Sequence, residues 1–259
     1  MRFFTLILSI ISLLCVVSCT DSIEGNFTTS PSALLTFEQD TLRFDTVFTT
    51  IGSSTQRFKI YNHNKKDLRI RQVKLGGGHD SQFRINLDGQ YLGSGLTDVE
   101  IMGNDSLFLF CEVTVKPHDS DAPILLRDSL QFVLESGVLQ QMILEAYGQD
   151  IIVLKAPVIE SNTTLDANRP YLVYDSLVVK KDVTLTMAAG TTFCFYSGAS
   201  LMVHGTWQAN GTLEQPVTLR GHRTDRIFSN LTYDNMDAQW GGVTIFPESK
   251  KNVLQYTDL

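Results

Sequence analysis

The sequence lacks any stretch in which apolar residues recur at helical spacing for more than a turn or two, which argues against a helical fold. It also lacks basic character: 21 lysines and arginines against 28 aspartates and glutamates leave a net charge of −7. The one close basic cluster, His222-Arg223-Thr224-Asp225-Arg226, contains its own acid. No surface for a phosphate backbone is expected, and nucleic acid is excluded as a partner. Cysteine is scarce, with four residues, no CxxC pair and no Cys/His ligand spacing. Cys15 lies in the apolar N-terminal run, while Cys111 ("LFLFCEVTV") and Cys194 ("TTFCFY") sit inside apolar strands of different regions. Both are expected as small buried hydrophobes rather than as a disulfide. There is no HExxH, P-loop, GxSxG or EF-hand loop, and the five histidines are scattered. No catalytic set, metal site or cofactor is therefore expected.

What is present begins with "MRFFTLILSIISLLCVVSCTDSIEG". Arg2 precedes an apolar run from Phe3 to Val17, short of the roughly 20 residues of a spanning helix. Small residues follow, the arrangement of a secretion signal. Val16-Val17-Ser18-Cys19 resembles a bacterial lipobox. The resemblance implies a signal peptide over residues 1–18 and a diacylglycerol thioether with an N-acyl group on Cys19. Each buried methylene contributes about 0.8 kcal/mol, so several acyl chains anchor far better than one. The implied partner is a membrane reached through lipid, and the implied location is the bacterial outer membrane. The competing reading is a soluble exported protein cleaved near Ser18. Residues 19–32, polar and rich in Gly, Pro, Ser and Thr, read as a flexible tether.

From Leu34 to Gly148, short runs such as "TLRFDTVF", "QRFKIYN", "DSLFLFCEVTV" and "LQQMILEAYG" alternate apolar with polar residues between turn clusters. About seven strands in this length is the count expected of an immunoglobulin-like β-sandwich, placed at residues 33–150. The stretches "LRFDTVFTTIGSSTQRFKIYNHNKKDLRI" and "ILEAYGQD" resemble the sandwich modules that precede repeats in Bacteroidetes surface lipoproteins.

Residues 151–174, with Pro157 and Pro170 interrupting sheet continuity, read as a linker and end cap. Residues 175–259 hold strands of only a few residues, too short for a stable meander. They become stable if the chain coils and each strand stacks about 4.8 Å above its predecessor. Leu185, Phe195, Leu201, Val203, Val217, Leu219, Val243 and Ile245 would then point inward, with glycines such as Gly198 and Gly205 at corners. "LTMAAGTTFCFYSGASLMVHGTWQANGTLEQPVTLRG" and "QWGGVTIFPESKKNVLQYTDL" resemble the N-terminal coils of right-handed parallel β-helix repeat proteins. The pattern departs at Trp207, expected as a coil plug, and in an excursion from His222 to Gln239, expected as a loop leaving one corner. A strand at the end of the sequence leads us to expect an N-terminal fragment, or a second chain covering that end.

The excursion holds the richest polar stretch. Arg223, Tyr233, Asp234, Asp237 and Trp240 offer a stacked aromatic and flanking hydrogen-bonding groups for a sugar, and its carboxylates offer weak support for calcium. The competing reading is a solvated loop with Trp240 packed on the next coil. Asp followed by Ser or Thr and an aliphatic residue recurs at Ser22, Thr41, Thr46, Ser106, Ser129 and Ser176. It resembles the O-glycosylation signal of exported Bacteroidetes proteins, and it is equally a natural turn before a strand. The expectation is an all-β, lipid-anchored envelope protein that scaffolds or binds glycans or proteins without catalysis. The alternative is a polysaccharide lyase or glycoside hydrolase whose active coils lie beyond Leu259.

Overall fold

The computed structural model describes residues 26–228 and 231–259, apart from the side chains of Ile227, Phe228 and Asp234. Cys19, Ser22 and the leader lie outside the described residues. The chain is all-β: among the described residues there is no α-helix, only two single-turn 3-10 segments at Gly78–Asp80 and Tyr233–Asn235.

Ten strands come first: β1 (Thr36–Phe37), β2 (Thr41–Phe48), β3 (Gln56–Asn62), β4 (Leu68–Leu75) and β5 (Phe83–Leu87), then β6 (Gln90–Tyr91), β7 (Leu96–Ile101), β8 (Asp105–Val113), β9 (Ile124–Leu134) and β10 (Leu139–Gln149). They make two five-stranded sheets, β1-β3-β8-β5-β6 and β2-β10-β9-β4-β7. Neighbours are antiparallel except β2 and β10, which run parallel. Period-two patterning drives this arrangement. Phe58, Ile60, Ile85, Leu109 and Cys111 of one sheet and Leu42, Ile70, Val73, Leu130 and Leu144 of the other share one buried core. Alternation fails usefully at the end of β2. The register with β10 slips between Glu145 and Tyr147, and adjacent Val47 and Phe48 are both buried. Val47 belongs to the sandwiched core, whereas Phe48 packs with Leu172 and Cys194 of the second region.

The second region contains β11 (Ile152–Lys155), β12 (Val158–Ile159), β13 (Thr163–Leu165), β14 (Tyr171–Tyr174) and β15 (Ser176–Val179). It continues with β16 (Thr184–Met187), β17 (Thr192–Phe195), β18 (Ser200–Val203), β19 (Thr206–Asn210) and β20 (Val217–Gly221). A small antiparallel pair follows, β21 (Arg226–Phe228) and β22 (Leu231–Thr232), before β23 (Val243–Ile245), β24 (Val253–Gln255) and β25 (Thr257–Asp258). Three parallel sheets result, β11-β14-β17-β20-β25, β12-β15-β18-β23 and β13-β16-β19-β24, so the chain visits them in cyclic order. Side chains stack in register inside: Tyr171, Phe193 and Leu219 form one column, Leu177, Leu201 and Val243 another. Trp207 lies directly over Leu185, almost fully buried, and its indole Nε1 sits 3.3 Å from Met187 Sδ.

Several expectations need correction. Residues 151–174 are more than a linker and end cap interrupted by prolines: β11, β12 and β13 pair in parallel with β14, β15 and β16 as a first layer, and Pro157 and Pro170 fall between strands, their carbonyls still accepting backbone N–H groups. The tether ends earlier than residue 32, because Phe27 bridges Asp67 and lies under the Arg69 guanidinium at 4.2 Å. Ile245 is 49% exposed rather than inward-packed, since its layer has a stacked neighbour on one side only. The excursion after His222 does not simply leave a corner; it returns to the first region, as described next.

Candidate ligand cleft between the two β regions

Two local devices join the regions. At one side, Arg169, between β13 and β14, donates to Asp121 Oδ1 at 2.5 Å and Asp119 Oδ1 at 3.0 Å in the β8–β9 loop. Beside them the buried Asp150 carboxylate accepts backbone N–H bonds from His118 and Ser120. Burial would raise its pKa, but these hydrogen bonds hold it below the usual aspartate value. At the other side, three consecutive residues after β20 reach the first region. Thr224 Oγ1 donates to the Thr46 carbonyl at 2.8 Å, Asp225 accepts from the Ser54 hydroxyl, and Arg226 Nε lies 3.6 Å from Asp45.

These contacts enclose a cleft of about 420 Å³, walled on one side by β2 and the segment from Ile51 to Gln56, and on the other by Tyr196, Ser197 and residues 222–225. Its aromatic wall follows from the winding. Tyr174, Tyr196 and His222 occupy equivalent positions on successive passages of one parallel sheet, with ring centroids 4.7 and 4.3 Å apart. Tyr174 is partly buried near Phe48 and Ile51, while Tyr196 is 40% exposed and faces the opening. Burial, and then the neighbouring Arg223 charge, hold the His222 pKa below the ordinary imidazole value.

The charged wall is preassembled. Arg223 donates to Asp225 through Nε at 2.9 Å and Nη2 at 2.5 Å, a bidentate fork. The same guanidinium stacks 3.6 Å above the Tyr233 ring and donates to its hydroxyl at 2.6 Å. Burial would raise the Asp225 pKa, but the Arg223 fork wins and lowers it. Both cleft carboxylates, Asp45 and Asp225, therefore face arginines rather than standing free as acid or base.

Of the residues singled out from sequence, Arg223, Tyr233, Asp237 and Trp240 border a second hollow of about 450 Å³ beside β20 and Thr257–Leu259. Their polar and aromatic groups are largely engaged already. Trp240 stacks on Phe195 at 4.4 Å as part of the interior, and Arg223 is held as above. The Asp234 side chain lies outside the described residues. Among the described residues no group of three potential ligands could hold a metal ion. Thr41, Thr46, Ser106, Ser129 and Ser176 are all half-buried in strands. The carboxylates of Asp105 and Asp128 accept the N–H of Ser106 and Ser129, each at 2.7 Å; Asp105 opens β8, whereas Asp128 lies in the middle of β9 rather than in a turn before it. Sequence reasoning missed Tyr196, Ser54 and Gln56. The spacing of Tyr174, Tyr196 and His222, one passage apart, was the available signal.

No protein-family model matches the chain, and no curated protein matches it. Among solved structures it is similar to a family 123 glycoside hydrolase from Clostridium perfringens, at 10% identity and TM-score 0.32, covering 49% of this chain and 26% of that one. Two structures of the major pilin subunit of Bacillus cereus match at 10% identity, with TM-scores of 0.26 and 0.22. They cover 51% and 48% of this chain and 44% and 43% of their own. The chain thus spans less than half the length of each of these structures. Likenesses at such TM-scores carry no argument about activity.

Proposed function

We propose that this is an exported envelope lipoprotein, anchored through Cys19, in which an immunoglobulin-like sandwich carries the first coils of a right-handed parallel β-helix and the cleft between them binds a glycan. The observation that carries the reading is the Tyr174–Tyr196–His222 stack, whose central residue, the 40% exposed Tyr196, turns its ring edge into the cleft beside preassembled hydrogen-bonding groups. Both faces of Tyr196 are covered, so a sugar would meet its edge and the His222 end of the stack, which also lines the cleft. Fixed polar groups around it set orientation. Carboxylates tied to arginines favour binding over turnover, because a general acid or base needs a carboxyl group free to exchange its proton.

The test is a glycan-array screen of the full chain, followed by calorimetry with the strongest ligand. Tyr196→Ala should abolish binding at temperatures where the variant is still folded, although losing two ring contacts lowers its melting temperature. Undiminished binding by that variant, or release of cleaved product from the ligand, would overturn the reading. For the anchor, Cys19→Ala should move the protein from membrane to soluble fractions.

A further inference from the structure

The outer face of the β1-β3-β8-β5-β6 sheet, on the far side of the core from the other sheet, carries an unusual arrangement. On β3, β8 and β5 the outward positions include Arg57, Lys59 and Tyr61; Phe108, Phe110 and Glu112; and Arg84 and Asn86, with Glu112 opposite Arg84 and accepting from the Thr55 hydroxyl. Cross-strand pairing puts Tyr91, Asn86, Phe110 and Arg57 in one continuous row across four strands. In the neighbouring row Lys59 is opposite Phe108. Both cations lean over that one ring, Lys59 Nζ at 4.6 Å and Arg57 Cζ at 5.3 Å from its centroid. The Phe108 and Phe110 rings lie 6.3 Å apart at a shallow angle, and Tyr91 at the end of the row is 64% exposed.

Two features of this face point to a ligand. First, Arg57 and Lys59 are like charges gathered over one ring, yet among the described residues neither has a carboxylate within ion-pair distance. The nearest acid in sequence contact, Glu38, accepts the backbone N–H of Lys59 at 2.8 Å. Cation–π contact holds both groups in place without neutralising them. Second, the aromatic rings form a flat strip on a solvent-facing sheet, in a position where alternation calls for polar residues.

We propose that this face binds an acidic polysaccharide, with a sugar carboxylate bridging Arg57 and Lys59 and the neighbouring sugar rings lying along Phe110 and Tyr91. Charge complementarity selects the anion, since two cations share one ring without an ion-pair partner although the chain as a whole carries a net charge of −7. The same net charge disfavours a polyphosphate, whose binding needs many phosphate contacts and a broad basic field. Asn86, between Tyr91 and Phe110, supplies a donor and an acceptor for sugar hydroxyls. The inference does not rest on the interregion cleft, whose lining reaches Gln56 beside Arg57 but includes none of the residues of this face.

The experiment compares retention of the full chain on immobilised polygalacturonate, dextran and single-stranded DNA. Polygalacturonate should retain it, in a manner reversed by raised salt, and the other two should not. Arg57→Gln with Lys59→Gln should weaken retention at least about tenfold, the size of a lost charge-assisted hydrogen bond. Tyr91→Ala should also weaken it, and Tyr196→Ala in the cleft should leave it unchanged. The Arg57, Lys59 and Tyr91 variants alter solvent-facing groups and should melt as the parent does. Equal retention on dextran, preference for DNA, or full retention by the doubly substituted chain would overturn the proposal.

Discussion

The hydroxyl of Thr224 donates a hydrogen bond to the backbone carbonyl of Thr46 at 2.8 Å, although the two residues are 178 positions apart. This bond, with its neighbours at Asp225 and Arg226, makes the polar excursion a fastening between two β regions.

Replacing Asp225 by Ala should therefore strand the Arg223 guanidinium and the Ser54 hydroxyl together. The expected loss is about 1–3 kcal/mol, the range for hydrogen bonds to charged groups. Urea denaturation measures the loss, and amide exchange should quicken in residues 46–56 more than in the distant β7. Equal protection across both segments would show that the fastening contributes nothing to the junction.

Acid should loosen the junction in two steps. The His222 pKa is depressed by burial and by Arg223, so the unfolded state binds its proton first. Stability then rises with pH across the window from the folded value up to the ordinary imidazole pKa of about 6.5, and falls as pH is lowered through it. His222→Gln should flatten melting temperature against pH in that window. Asp225, also depressed, contributes above the ordinary aspartate pKa of about 3.9 and is lost as pH falls toward its lower folded value. Asp225→Asn should remove this second, more acidic step and, by withdrawing a charge that favours the imidazolium, move the His222 step to lower pH.

Two glycines should respond differently to Ala. A Cβ at Gly205 would stand 2.2 Å from the carbonyl oxygens of both Lys180 and Val183, backbone atoms that cannot yield cheaply. Gly205→Ala should prevent the parallel sheets from forming, seen as loss of cooperative unfolding. Gly198 has φ +82° but open space around it, so Gly198→Ala should cost only about 1–2 kcal/mol of left-handed strain. Similar melting curves for the two variants would contradict the register assigned to this turn.

The β content and the inward columns could be read from the sequence because burial leaves a period-two trace. Leu201, Val203, Val217 and Leu219 are interior at the places their alternation predicted, and Trp207 fills the centre. Residues 151–174 were harder to read. β12 and β13 are two and three residues long, and their side chains are half exposed, so almost no periodicity marks them. The cleft was hidden for a different reason. Its walls come from β2 and from passages more than a hundred residues later, and only the bulge in β2 turns Phe48 toward them. Local patterning carries no information about such a meeting. Trp240, for which the sequence left open a sugar platform or packing on the next coil, stacks on Phe195, where it buries apolar area.

The sandwich grips the parallel stack through the peptide link at Asp150, through Arg169 one passage on, and through Thr224 two passages further. Anchor points on three different passages resist rotation about the peptide link, as a truss does and a hinge does not. A force pulling the two regions apart must shear all three together, so early passages should bear tension as one unit and fail at a single high load.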